Sequence, residues 1–236
     1  MTSKYYQRNF VQDHFYHLYN RGAYKQHIFR NNADYLTFID ILKYYLNFPS
    51  GQALSRLALL KVPNLSEPSE QPPVELHAYC LMPNHFHLLV KQSAVPSRST
   101  NITNLMRRLS ITYSMYFQET YHHSGQIFQG KYKNILIDSE SYFLHLSRYI
   151  HLNPLEIHPP HPQQPLTWLA TYPFSSYPEY LHPGKHPWVT TNTTLSHFGN
   201  SSHLPSLKSY NTYRSFVESQ AENSAAILQD LTLETN

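Results

Sequence analysis

The chain predicts an α+β fold built as strand, helix, strand, strand, helix, strand, closed by one further helix. Three observations carry this. Two segments, His14 to Asn20 and Glu75 to Lys91, alternate residue by residue as half-buried strands do. Two others, Asn32 to Asn47 and Asn101 to Tyr121, repeat apolar residues at three- and four-residue spacing, as helices with one buried stripe do. A last helical stretch opens at Asp138 or Ser139 and stops at Pro154. Arranged as βαββαβ, these elements make a ferredoxin-like antiparallel sheet, with the extra helix left to cover the sheet's second face.

In chain order, HFYHLYN places His14, Tyr16 and Leu18 on one side of a strand and Phe15, His17 and Tyr19 on the other. Arg21-Gly22 ends it. In the first long helix Tyr35, Phe38, Ile39, Leu42, Tyr45 and Leu46 form the stripe that faces the sheet. From about 48 to 73 periodicity dissolves into Ser, Pro and Gln, and a mobile insertion is expected there. The stretch ELHAYCLMPNHFHLLVK then reads as two strands joined by a tight Pro83-Asn84 turn. The second long helix buries Ile102, Leu105, Met106, Leu109, Tyr113, Tyr116 and Phe117. It leaves Arg107 and Arg108 away from most of that stripe. A last strand runs from about Tyr132 to Ile137, opened by Lys131 and Lys133 on one face.

The hairpin holds the first chemical signal. Residues two apart on a strand share a face, so His85 and His87 sit side by side while Phe86, Leu88 and Val90 point into a core. Two imidazoles on a rigid strand are half of a metal site. The pair alone says little, since 16 histidines in 236 residues make roughly one such pair expected by chance. The closing helix supplies candidates for the rest. Phe143, Leu146 and Ile150 form its apolar stripe, and His145, Tyr149 and Asn153 recur every four residues beside it.

Composition narrows the classes. One cysteine, Cys80, excludes a disulfide framework, and it reads as a small buried hydrophobe. No long apolar run marks a leader or a membrane span, so a cytoplasmic protein is expected. A net charge of +3 and a pI near 8.8 are mildly basic. Twenty tyrosines add rings able to stack on unpaired bases or to fill a core with a hydroxyl at its edge.

The strings YCLMPNHFHLLVK, IFQGKYKNILI and SRYIHLNP, with weaker echoes in HLYNRG and WLATYPFSSYPEYL, resemble the REP-associated tyrosine transposases. These are single-tyrosine members of the HUH superfamily, named for a His–bulky apolar–His motif. The resemblance covers roughly residues 10 to 181, apart from the 48–73 segment. It implies an HUH nuclease fold in residues 1–154, with residues 155–236 as a C-terminal extension packed on that domain. Trp168, Tyr172, Phe174 and Tyr177 are expected to clamp the extension. A short helix is expected from about Leu207 to Ser219, with the end extending it or fraying. The Pro-rich stretch His158 to Pro165 and the insertion are less typical of the family.

Residue by residue, the resemblance implies that His85 and His87 are metal ligands and that Tyr149 is the nucleophile. Asn153, one turn later, takes the position of the third ligand. A mixed nitrogen and oxygen set with open positions suits Mg²⁺ or Mn²⁺. The implied activity is cleavage and joining of single-stranded DNA through a 5′-phosphotyrosine, acting on an imperfect REP-type hairpin. The implied enzyme is a monomer with its tyrosine acting in cis. Arg21, Arg107, Arg108, Lys131, Lys133 and Arg148 are candidate contacts to DNA. Lys131, Lys133 and Arg148 are also candidates to help ionise the phenol, whose ordinary pKa is about 10. The other open readings are a domesticated or inactive protein that binds a DNA or RNA hairpin, and a metal-dependent hydrolase in which water attacks.

Overall fold

The structure is a computed structural model that describes residues 9–49, 54, 72–97, 100–157, 164–184, 187–199, 204, 207 and 209–221. Most of the expected insertion, most of the Pro-rich stretch and nearly all of the C-terminal end therefore lie outside the described residues. The elements used below are β1 (His14–Arg21), α1 (Asn32–Asn47), β2 (Val74–Met82), β3 (His85–Gln92), α2 (Ile102–Tyr121), β4 (Lys133–Ile137) and α3 (Glu140–Leu152). After them come α4 (Pro165–Thr171), α5 (Tyr177–Leu181), α6 (Asn192–Leu195) and α7 (Tyr213–Glu218).

Four antiparallel strands form one sheet in the order β2-β3-β1-β4. The histidine strand is therefore central, as the ferredoxin-like reading requires. The register sets which side chains share a face. Tyr19 lies opposite His87 and Arg21 opposite His85 on one side of β3, and Cys80 lies opposite His87 on the other. Phe15, His17, Tyr19 and Arg21 thus stand on the same face as His85 and His87, together with Lys133 and Ile135 of β4.

The opposite face carries the apolar core. Phe86 projects onto Phe38 of α1 with ring centroids 5.1 Å apart, and Phe38 in turn meets Tyr113 of α2 at 5.1 Å. Local sequence chemistry starts these helices where they start. Asn31 caps α1, accepting from Ala33 N at 2.8 Å, while the Asp34 carboxylate returns to Asn31 N at 3.2 Å. Asp34 also accepts from the hydroxyls of Tyr116 and Tyr121 at 2.7 Å each, which ties the start of α1 to α2. Asn101 caps α2 and Ser139 caps α3.

Gly22, just past β1, sits where a Cβ would lie 2.2 Å from the Gln26 carbonyl oxygen. Its amide donates to Asn84 O in the β2–β3 turn at 2.8 Å. Only glycine allows the chain to fold this tightly against that turn.

α3 packs on the histidine face, with Phe143 against Phe15 at 4.6 Å. The extension covers its outer side, so α3 is buried almost all round. Residues 174–176 run along the outer edge of β2. Leu81 N donates to Phe174 O at 2.9 Å, Ser176 N to Tyr79 O at 3.0 Å, and Tyr172 OH to Leu81 O at 2.7 Å. Trp168 Nε1 donates to Pro154 O at 3.1 Å, and Phe174 stacks on Tyr35 at 4.0 Å.

One expectation needs correction. The late helix begins at Tyr213, not near Leu207, because Thr212 supplies its capping box with Ser215. The short helices α4, α5 and α6 have too few residues for periodicity to show. Among the described residues, no helix is long and apolar enough to cross a membrane.

Candidate active site

The site forms where α3 crosses β3 and β1. His85 and His87 lie with ring centroids 5.0 Å apart and planes at 85°. His85 Nδ1 meets Asn84 Oδ1 at 2.7 Å. An amide oxygen only accepts, so Nδ1 carries a proton, and in the neutral ring this leaves the Nε2 lone pair for a ligand. His87 Nδ1 meets Nε2 of His17 at 2.9 Å. With the proton on His87 Nδ1, this contact likewise leaves the His87 Nε2 lone pair for a ligand. Burial pushes the His87 pKa well below the usual value, helped by the nearby His85, His17 and Arg21. Burial pushes His17 down to about 3. Both rings are therefore neutral at pH 7, the state in which imidazole binds metals.

Tyr149 reaches this pair from α3. Its ring meets His87 edge-on at 5.3 Å and 84°, and His17 at 6.2 Å. The tyrosine is 2% exposed. One turn later Asn153 donates from Nδ2 to Tyr149 O at 2.8 Å. Its Oδ1 is buried and has no hydrogen-bond partner. Leaving an amide oxygen so costs about 1–3 kcal/mol, which points to a cation that Oδ1 would meet. The imidazole nitrogens of His85 and His87 and the orphaned amide oxygen of Asn153 are a donor set that fits a divalent metal with open positions. Among the described residues there is no group of three or more His, Cys, Asp or Glu that could hold a metal, so any site here depends on the carboxamide.

The expected row of His145, Tyr149 and Asn153 is not one row. Four residues advance an α-helix by about 400°, so three positions four apart fan over about 80°. Tyr149 faces the sheet. His145 turns to the extension, where its Nδ1 meets an Arg148 Nη at 2.7 Å and its ring lies 5.6 Å from Phe216.

The six candidate DNA-contacting cations separate into three pairs. Arg21 and Lys133 stay on the histidine face. Lys133 Nζ lies 5.7 Å from the Tyr19 ring, which itself stacks 5.9 Å from His87. Arg107 and Lys131 are exposed beside one groove on the other side of the sheet. Arg108 and Arg148 are buried. Arg108 lies over Tyr45 at 4.2 Å and donates to Pro49 O at 2.6 Å. Arg148 lies over Phe216 at 4.3 Å. Each guanidinium is engaged by the protein itself, because its aliphatic stem follows the helix into a packed layer.

His17 is the site residue that sequence reasoning passed over. Strand alternation had already set it with Phe15 and Tyr19, but only the β1–β3 register brings that face to His87.

The family model described as "Transposase IS200 like" matches residues 64–153. A search of curated proteins finds no match. Among solved structures, a REP-associated tyrosine transposase bound to a REP hairpin is 19% identical over 79% of this chain and 90% of that one, with a TM-score of 0.44. A candidate transposase from Deinococcus radiodurans R1 is 20% identical over 61% of this chain and 94% of that one, with a TM-score of 0.36. The matched span of the family model, residues 64–153, contains His85, His87, Tyr149 and Asn153.

Proposed function

We propose that this protein is a transposase of the REP-associated kind that nicks and joins single-stranded DNA, with Tyr149 as its nucleophile. The observation that carries this reading is the placement of the Tyr149 ring edge-on to His87 at 5.3 Å. The buried, unpartnered Asn153 Oδ1 one turn along the same helix supports it. The phenol meets one imidazole, a second imidazole lies beside the first, and a carboxamide sits one turn along the same helix. That combination suits transfer of a phosphoryl group to tyrosine.

His85, His87 and Asn153 would hold a divalent cation, Mg²⁺ or Mn²⁺. Such an ion supplies polarisation of a non-bridging phosphate oxygen and neutralises charge as it builds. The chain's own residues do the rest. Tyr149 Oη forms a bond to phosphorus as the P–O3′ bond breaks, the phenolic proton is lost, and the departing 3′ oxygen gains one. The product is a 5′-phosphotyrosine and a free 3′-hydroxyl. A second 3′-hydroxyl can reverse the step and join strands, since the ester bond is conserved. Arg21 and Lys133 lie on the same face and would attract the DNA backbone and favour the phenolate. Because Tyr149 is 2% exposed, binding of substrate must open this site.

The substrate that the resemblance implies is an imperfect hairpin flanked by unpaired nucleotides. In-line attack needs neighbouring nucleotides splayed apart, which pairing and stacking resist in a duplex. The test is incubation with Mn²⁺ and single-stranded or fully paired DNA, followed by a denaturing gel. A covalent protein–DNA adduct on single strands, absent on the duplex, is the expected result. Equal cutting of duplex would overturn the single-strand reading. Tight hairpin binding with no adduct would favour an inactive hairpin-binding protein. Cleavage to free products with no covalent intermediate would favour a hydrolase.

A further inference from the structure

A groove of about 380 Å³ lies between α2 and the edge strand β4, on the sheet face opposite the histidines. Its walls combine four kinds of group. Arg107 and Lys131 are exposed at it, the Tyr132 ring is half-buried, and Met106 and Ser110 face them from α2. The fourth is Asn134, which lines the groove although it is only 3% exposed, and whose Oδ1 has no hydrogen-bond partner. A buried amide oxygen left unmatched beside an open cavity marks a place for a ligand that donates a hydrogen bond.

We infer that this groove captures one unpaired, amine-bearing nucleobase of the DNA strand. The inference rests on the function proposed above. The space holds a base. Tyr132 offers a ring for stacking, as single-strand binders use aromatic residues. Arg107 and Lys131 offer charge to the flanking phosphates. Asn134 Oδ1 selects for the amine. Cytosine and adenine present an exocyclic N–H₂ to an acceptor, while thymine presents its one N–H between two carbonyl oxygens that repel Oδ1.

The position on β4 gives this pocket a role. Strand residues alternate sides, so Lys133 faces the histidines while Asn134 faces the groove. A single strand passing round the β4 edge can leave one base in the groove and present a nearby phosphate to Tyr149. The groove then sets which phosphate is cut, through the base it holds.

The test measures binding of oligodeoxycytidine and oligothymidine of equal length, in parallel with adduct formation. These two differ at the amine. The wild-type protein is expected to bind the cytidine strand more tightly, by roughly 5-fold or more for one hydrogen bond of this kind. Asn134→Leu should erase that preference while keeping the salt dependence set by phosphate contacts. Tyr132→Ala should weaken both oligomers by about 5- to 150-fold. Ser110→Phe fills the groove from the opposite wall and should act like Asn134→Leu if that variant fails to fold. Adduct formation with no base preference, unmoved by Tyr132→Ala and Ser110→Phe, would overturn the groove and leave the proposed function standing. Absence of both adduct and single-strand binding in the wild type would instead remove the function on which the groove depends.

Discussion

His17 and His87 meet through their ring nitrogens at 2.9 Å, with both side chains buried and 70 positions between them in sequence. The contact joins the first strand to the strand that carries His85 and His87. It holds the His87 ring in one orientation, between a histidine on one side and the edge-on ring of Tyr149 on the other. Four predictions follow from this site and the layers around it.

Tyr149→Phe removes one oxygen and leaves the ring packed on His87. Cleavage and adduct formation should fall by on the order of a thousandfold or more, while hairpin binding persists. A denaturing gel and a binding titration check both halves. An adduct formed by the Phe variant would mean that another tyrosine attacks.

His85→Ala and His87→Ala should each abolish saturable Mn²⁺ binding by calorimetry, and EDTA should stop cleavage. Asn153→Ala should weaken binding less, because water can replace a neutral oxygen ligand. His17→Ala should weaken Mn²⁺ affinity by about 10- to 100-fold, because it releases the His87 ring without removing a ligand. His17→Gln, which can still accept from His87 Nδ1, should recover part of the loss. Unchanged metal affinity in His17→Ala would reduce His17 to a packing residue.

Assembly is testable by mixing. The link from Ile137 to Glu140 holds only Asp138 and Ser139, and α3 is pinned from outside by α7. Tyr213 OH reaches Ser147 Oγ at 3.0 Å and His151 Nδ1 at 2.6 Å. A helix so tethered has little freedom to swing into a second molecule, so Tyr149 should act in cis in a monomer. Tyr149→Phe mixed with a His85→Ala/His87→Ala protein should stay inactive. Recovered cleavage would show that two chains share their sites.

His151 sets a pH dependence. It is fully buried between Tyr213 and Ser176, and burial pushes its pKa down to about 3. The folded state therefore resists protonation that the unfolded chain accepts near pH 6.5. Its contribution to stability is complete above that value and is lost as pH falls from about 6.5 toward 3, by at most about 1.4 kcal/mol per pH unit. Melting temperature should drop between pH 7 and pH 5, with a shallower drop in His151→Leu. A melting temperature that does not move over this range in the wild type would contradict the buried neutral state. Tyr213→Phe should cost about 1–3 kcal/mol at any of these pH values, since Ser147 and His151 both lose a partner.

Much of this protein was legible from sequence by local physics. The first long helix runs from Asn32 to Asn47, where its periodicity places it. The Pro83-Asn84 turn separates two strands whose alternation puts His85 and His87 on one face. Short-range rules suffice there, because caps, turns and periodicities are set by residues a few positions apart. Tertiary structure alone decided the rest. Strand register placed His17 on His87 and Lys133 beside Tyr19, and no local rule specifies register between segments 70 residues apart. The fan of a 3.6-residue helix separated His145 from Tyr149. Packing of the extension buried Arg148, and the α1–α2 layer buried Arg108, two arginines that sequence alone left open to DNA. Whether a charge is solvated, stacked or hydrogen-bonded depends on what the fold brings over it from far along the chain, and that is decided by three-dimensional packing rather than by the neighbours in sequence.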